Sequence, residues 1–313
     1  MRILVTGGAG FIGSNVVDRF IEDGHSVAVV DDLSTGFREN VNPSARFYEV
    51  DIRDRESLAQ VMREERPEVV CHHAAQMDVR RSVREPDFDA QVNILGSLNV
   101  ILESLEVGVT KIIYASTGGA VYGEPKYLPA DENHPIAPIS QYGISKHTVE
   151  HYLQLYSVNW GLRFTALRYG NVYGPRQTPH GEAGVVAIFT GLLLEGRRPT
   201  IFGRGDKTRD YVYVDDVVKA NVLALERGDG GIYNIGTGVP TTDQEVFEAV
   251  RDAVGANLEP IYGDERLGEV RHIHLDASLA KKELGWEPSV TFREGVRMAV
   301  DYYRRWLSKG QEP

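Results

Sequence analysis

The chain has 313 residues, 42% of them hydrophobic, which is enough to bury a large core without metals or disulfides. Its formal net charge of -11 repels a phosphate backbone, so nucleic acid is excluded as an expected partner. Charged residues and glycines break every apolar stretch before it reaches the roughly 18 residues of a membrane span, so no membrane association is expected.

The run from Arg2 to Thr6 reads as a buried strand, which leaves no room for a basic leader and apolar signal core. A cytoplasmic protein is the expectation. Further β-branched runs at 27–31, 69–71, 111–115 and 163–167 alternate with helical stretches at 12–22, 57–65, 89–106 and 141–160. Another strand, third in order, ends at Asp51-Ile52. This alternation predicts a parallel sheet with helices on both faces, doubly wound by right-handed crossovers, with ligands outside the carboxyl ends of its strands. The lone Cys71 lies in one of those apolar strands and reads as a buried thiol.

Beyond 167 the texture changes. Residues 169–184, rich in Gly and Pro, and the charged stretch 203–210 read as loops able to cover a ligand. A helix at 215–226 and a strand at 231–235 follow, then two helices opened by capping boxes, Thr242 with Glu245 and Thr291 with Glu294. The expected architecture is α/β. Residues 1–168 with about 207–237 form the doubly wound sheet; about 169–206 with 238–313 form a smaller, discontinuous substrate domain.

Gly7, Gly10 and Gly13 fall between the first strand and the first helix, where backbone can approach a pyrophosphate and the helix dipole can stabilise it. Asp31 closes the second strand at the distance where a carboxylate meets an adenosine ribose, and its charge would repel a 2'-phosphate. NAD is therefore predicted over NADP, with Asp51 and Ile52 bordering the adenine. Tyr142 and Lys146 stand four residues apart on one helix face. A neighbouring ammonium and a positively charged nicotinamide would favour the phenolate, although the same spacing also describes an ordinary surface pair. The segment 114–123 carries Ser116 and Thr117 at the end of the fifth strand, where a hydroxyl can converge with phenol and ammonium.

Gly7-Gly8-Ala9-Gly10-Phe11-Ile12-Gly13, the run from Ser116-Thr117 to Gly123, Tyr142-Gly143-Ile144-Ser145-Lys146 and Arg168-Tyr169-Gly170-Asn171-Val172-Tyr173-Gly174-Pro175-Arg176 together resemble the extended short-chain dehydrogenases that act on nucleotide sugars. Thr208 to Asp216 and Leu284-Gly285-Trp286-Glu287-Pro288 are similar to that family's later motifs, so the likeness spans the chain. The pattern is most similar to the branch that epimerises UDP-sugars at C4, exchanging UDP-galactose and UDP-glucose. The resemblance implies a Rossmann cofactor domain and a twofold homodimer in which helices 89–106 and 141–160 pair with their copies.

By the same resemblance Tyr142 is the acid/base, Lys146 lowers its pKa and binds the nicotinamide ribose, and Thr117 holds the sugar 4-oxygen with Ser116 in reserve. One extra glycine in this loop makes strict counting fall on Gly118, which has no hydroxyl. Implied cofactor contacts extend to Phe11, Ile12, Asp32, Ser34, Ala74, Ala75, Asn93 and Tyr169. For the substrate, Asn171, Arg209 and Arg266 correspond to diphosphate ligands, Glu269 to a uridine-ribose ligand, and Thr200 and Phe202 to the uracil contact. Ile273 lies at the wall that controls room for N-acetylated sugars.

Other signals are bland. His72 and His73 are adjacent in a strand and point to opposite faces. His272 and His274 share a face without a third ligand, so no metal is expected. Arg80, Arg81 and Arg84 read as a solvated face. Relatives that dehydrate the sugar carry an Asp-Glu pair after the strand-end Thr, whereas Gly118-Gly119 stand here. A uronate or N-acetylglucosamine epimerase and a noncatalytic NAD-binding sensor remain the alternatives.

Overall fold

The computed structural model describes residues 1–178, 184–265 and 270–308. In β1 (Arg2–Thr6), Ile3 and Val5 enter one core and Leu4 the other, as a strand covered on both faces requires. The chain continues through β2 (Ser26–Asp31), β3 (Arg46–Glu49), β4 (Val69–His72), β5 (Lys111–Thr117), β6 (Arg163–Tyr169) and β7 (Asn171–Tyr173). It then forms β8 (Thr200–Phe202), β9 (Thr208–Tyr213), β10 (Gly231–Ile235), β11 (Pro240–Thr242) and β12 (Ile261–Gly263). Seven of these strands make one parallel sheet in the order β10-β6-β5-β4-β1-β2-β3. Winding reverses between β1 and β4, which opens a crevice at their carboxyl ends.

α1 (Phe11–Glu22) covers one face of the sheet. The other face carries α2 (Arg55–Glu65), followed by the short α3 (Val79–Arg84) and α4 (Pro86–Ala90), then α5 (Ser97–Val107) and α6 (Gln141–Trp160). The periodicity over 89–106 predicts one helix; instead α4 and α5 are joined by a π-helical turn, Gln91–Gly96. The wider turn carries Asn93, whose amide bonds Gln76 and Asp89 inside the protein.

α7 (Val185–Leu194), α8 (Val214–Ala224), α9 (Asp243–Val254), α10 (Ser278–Leu284) and α11 (Phe292–Ser308) complete the chain. α8 packs on α1, while α7, α9 and α11 pack on one another. The stretches expected as loops contain strands: β7 and β9 lie side by side, and β11 extends them into a three-stranded sheet. Within 207–237, β9 lies in the small sheet, while α8 packs on α1 and β6 and β10 pairs with β6. β7, three residues between Gly170 and Gly174, gives too short an alternation to read. Likewise β3 ends at Glu49, and Asp51 is drawn into a turn that Arg53 bonds.

Two buried carboxylates hold this second unit. Asp210 accepts from Thr237 N and Oγ1, Gly238 N and Leu275 N at 2.7 to 3.0 Å. Asp216 accepts from Ser289 N and Oγ and from Val290 N, while its own carbonyl takes the Trp286 indole proton at 2.7 Å. Both are backbone clamps, satisfied as buried acids must be. Thr242 and Glu245 form the full reciprocal capping box; Thr291 donates its N–H and hydroxyl to Glu294.

Candidate active site

The crevice floor is backbone. Gly7 has φ +69°, and a Cβ there would lie 2.6 Å from Ala74 N; a Cβ on Gly13 would strike Gly7 O. Only glycines let the β1–α1 turn press this closely on the segment after β4. Gly10 caps α1 with no side-chain hydrogen bond, and the first turn holds no acidic residue. The helix therefore offers unpaired N–H groups and a positive dipole end beside Phe11 and Ile12, a site suited to a pyrophosphate.

Asp31, at the end of β2, accepts from Ala9 N on one oxygen and Leu33 N on the other, each at 2.9 Å. Each oxygen keeps a lone pair for a ribose hydroxyl. Burial raises its pKa against those two N–H bonds. Asp32 takes Ser34 N and Oγ in a local turn. Ile52 is buried under Gly96, where a Cβ would lie 2.7 Å from Ile52 Cδ1. Ala74 N donates to Thr6 Oγ1, and Ala75 is half-buried beside it.

Asn93, which the resemblance puts at the cofactor, bonds Gln76, Asp89 and Ser145 through its amide. Tyr169 is also turned inward: its hydroxyl accepts from Asn221 Nδ2 at 2.9 Å, and its ring stacks on His73.

Ser140 caps α6 by accepting from Gly143 N, which fixes the first turn and the start of the Tyr142–Lys146 face. Lys146 is 4% exposed; its Nζ donates to Ala115 O at 2.9 Å and lies 6.0 Å from the Tyr142 ring centroid. The Thr117 side chain is set against Tyr142. Burial pushes the Tyr142 phenol up to about 12, the Asp89 charge adds to the rise, and the Thr117 hydroxyl opposes both. Burial brings the Lys146 ammonium down to about 8, against the pull of Asp89 and Glu150.

The two strand-end hydroxyls separate cleanly. Ser116 Oγ donates to Glu150 Oε1 at 2.6 Å, inside a network where Arg168 grips both Glu150 oxygens and reaches Tyr122, which in turn donates to Asn234. Thr117, on the opposite strand face, meets Tyr142. Gly118 is closed in: a Cβ there would lie 2.5 Å from Leu275 Cδ1. Gly119 is open, its ideal Cβ standing 3.6 Å from Asn171 Oδ1 and 3.9 Å from Thr117 Oγ1. Asn171 thus borders the Thr117–Tyr142 cluster.

Arg209, on β9, donates to Thr208 O, and the Asp210 carbonyl beside it packs on Gly170, next to Asn171. Thr200 and Phe202 lie on β8, paired with β12. Arg266 and Glu269 lie outside the described residues. Ile273, expected at the wall of the sugar space, is buried with Val121, Tyr122 and Leu275. His72 bonds Thr6 and Ser97, and His272 meets Thr208. Among the described residues no group of three or more His, Cys, Asp or Glu could hold a metal ion.

Sequence reasoning missed Glu150, Arg168 and Asp89. Glu150 was legible, standing four residues after Lys146 on the Tyr142–Lys146 face. Asp89 had no such signal, because the π-helical turn breaks the spacing that would have aimed it inward.

The model of the NAD dependent epimerase/dehydratase family matches residues 3–236. The UDP-glucose 4-epimerase of Mycolicibacterium smegmatis is 46% identical over 97% of this chain and 99% of its own. A crystal structure of the Thermotoga maritima UDP-glucose 4-epimerase with UDP-glucose superposes with a TM-score of 0.97, at 52% identity over 98% of this chain and 100% of that one. The Thermus thermophilus UDP-glucose 4-epimerase in complex with NAD gives 0.93, at 47% identity over 97% and 99%.

Proposed function

From the premise that the chain belongs to the NAD dependent epimerase/dehydratase family, we propose that it is a UDP-glucose 4-epimerase, interconverting UDP-galactose and UDP-glucose through a transient 4-ketose. The observation that carries this reading is the meeting of Tyr142, Thr117 and Lys146 beside a loop, Gly118-Gly119, that supplies no acid or base for elimination.

The residues present fit NAD. The uncapped start of α1 and the Gly7–Gly13 turn would hold the pyrophosphate, Asp31 the adenosine ribose and Lys146 the nicotinamide ribose. Bound there, NAD supplies a reversible hydride acceptor and a positive ring whose field lowers the pKa of a nearby phenol.

Tyr142 takes the proton of the sugar 4-hydroxyl and later returns it. Thr117 hydrogen-bonds the same oxygen and keeps it against the phenol. Lys146, anchored on Ala115 O, keeps a positive charge beside Tyr142. Asn171, Arg209, Arg266 and Glu269 would hold the diphosphate and uridine ribose, with Thr200 and Phe202 at the uracil, so the ketose can turn over while the nucleotide stays fixed. On this reading the seven-stranded sheet carries the cofactor and the small sheet with α7, α9 and α11 carries the nucleotide sugar.

A homodimer through α5 and α6 belongs to the same proposal. Leu95, Ile144, Leu155 and Trp160 are exposed there, and Val158 is 79% exposed. A cytoplasmic setting is also part of it, on the free thiol of Cys71. Among the described residues no helix is long and apolar enough to cross a membrane.

The test is to incubate purified protein with UDP-galactose and no added NAD, then follow products by chromatography and the NADH band by absorbance. UDP-glucose without NADH release is expected. A 4-keto-6-deoxy product would overturn the glycine argument, and turnover confined to UDP-glucuronate or UDP-N-acetylglucosamine would move the substrate.

A further inference from the structure

Behind Tyr142 and Lys146 lies a carboxylate that the reaction outlined above leaves without a task. Asp89, in the last turn of α4, is 1% exposed, and neutral donors hold it: Gln76 Nε2 at 3.0 Å and Asn93 Nδ2 at 3.0 Å. Asn93 is itself locked, exchanging two bonds with the Gln76 backbone at 2.8 and 2.9 Å. Ser145 Oγ closes the frame, accepting from Asn93 Nδ2 at 3.3 Å and donating to Tyr142 O at 3.0 Å. One hydrogen-bonded unit thus joins α4, the π-helical turn and the first turn of α6.

A carboxylate so far from water and met by neutral groups is costly, and such an arrangement persists where its charge has use. Lys146 and Tyr142 on α6 and Tyr114 on β5 feel the Asp89 charge, while Arg81 of the packed helix α3 is held by Glu85 and the Phe88 ring. Glu150, the other acid acting on Lys146, is committed to Arg168. His72 and His73, which also feel Lys146, are held neutral by burial. Asp89 therefore remains as an acid whose charge favours the Lys146 ammonium.

We propose that Asp89 is a positioning residue for the epimerase reaction, its buried negative charge setting the electrostatic balance of the Tyr142–Lys146 pair while its hydrogen bonds fix Gln76 and Asn93, and through Asn93 the Ser145 hydroxyl, behind that pair. The inference rests on the reading of Tyr142 as the acid/base. Its sign is definite. A negative charge favours both the ammonium and the neutral phenol, so removing it makes Tyr142 ionise, and Lys146 lose its proton, at lower pH. Both limbs of the pH–turnover profile then move to lower pH together, by about half to one unit. A frame that only packed would lower turnover or stability at every pH and leave the limbs in place.

The experiment uses Asp89→Asn holoenzyme, with turnover of UDP-galactose followed from acid to alkaline pH, bound NAD assayed, and Tyr142 ionisation read as the tyrosinate absorbance lost on adding Tyr142→Phe. Expected are limbs moved to lower pH, Tyr142 titrating earlier, and KM within about twofold of wild type. Asp89→Glu should return the limbs to their wild-type positions. Asp89→Ser serves as a second neutral variant if the asparagine amide disturbs folding. Unmoved limbs with unchanged Tyr142 titration would overturn the proposal. Tyr142→Phe with near wild-type turnover would instead overturn the assignment of the base, which separates the two failures.

Discussion

Ser116 and Thr117 are neighbours in sequence and strangers in the structure. Strand alternation sends Ser116 into the Glu150–Arg168 network and Thr117 to Tyr142. Their replacements should therefore fail differently. Thr117→Val removes the hydroxyl facing the phenol and should lower kcat by about tenfold to a hundredfold with little change in thermal stability. Ser116→Ala takes a donor from a buried carboxylate and should cost about 1–3 kcal/mol of stability while sparing kcat. Steady-state kinetics and thermal melts of both variants check this, and a larger kcat loss in Ser116→Ala would reverse the assignment. The sequence left these two hydroxyls ranked on a loop count; what separates them is the partner each meets, and Glu150 and Tyr142 are both far away in the chain.

At the scale of elements, Glu150 and Arg168 fasten α6 to β6 from beneath β5. Burial alone would raise the Glu150 pKa, but the Arg168 hydrogen bonds, with those of His147 and Ser116 and the Arg168 charge, bring it down to about 2. An unfolded glutamate takes up its proton near pH 4.5, the folded one near 2. Between those values the unfolded state binds more protons, so this group's contribution is fully present above pH 4.5 and is lost as pH falls toward 2. The shift corresponds to about 3 kcal/mol. Glu150→Gln should thus be less stable than wild type by about that amount at neutral pH, with the gap closing in acid. Denaturant melts at several pH values measure it; a gap independent of pH would contradict the account. The helix α6 that bears Glu150 is readable from end to end, and so is the β-branched run of β6 that bears Arg168. The π-helical turn was not, because apolar spacing through it mimics one continuous helix, and β7 was not, because three residues between Gly170 and Gly174 carry too little alternation.

For the molecule as a whole, legibility followed the length of the pattern. Five strand runs, four crossovers and the glycine turn specify the sheet and its crevice from the residues alone. The second unit is assembled from short strands and from side chains such as Asp210 and Asp216 that clamp distant loops, so its partition could be foreseen only coarsely. The proposed dimer belongs to this scale too. α6 buries Val149 and Leu153 against the sheet yet leaves Ile144, Leu155, Val158 and Trp160 in water, and the π-helical turn before α5 adds Leu95. A helix apolar on both sides has a second surface to cover, and a twofold axis lets one such face meet its own copy. Because Val158 is the most exposed of the set, a charge placed there should leave the fold intact and act on association alone. Val158→Asp is expected to keep the wild-type melting profile at low concentration but to scatter light as a monomer where the wild type is a dimer. A wild-type monomer at micromolar concentration, or a variant that still dimerises, would place the contact elsewhere or remove it.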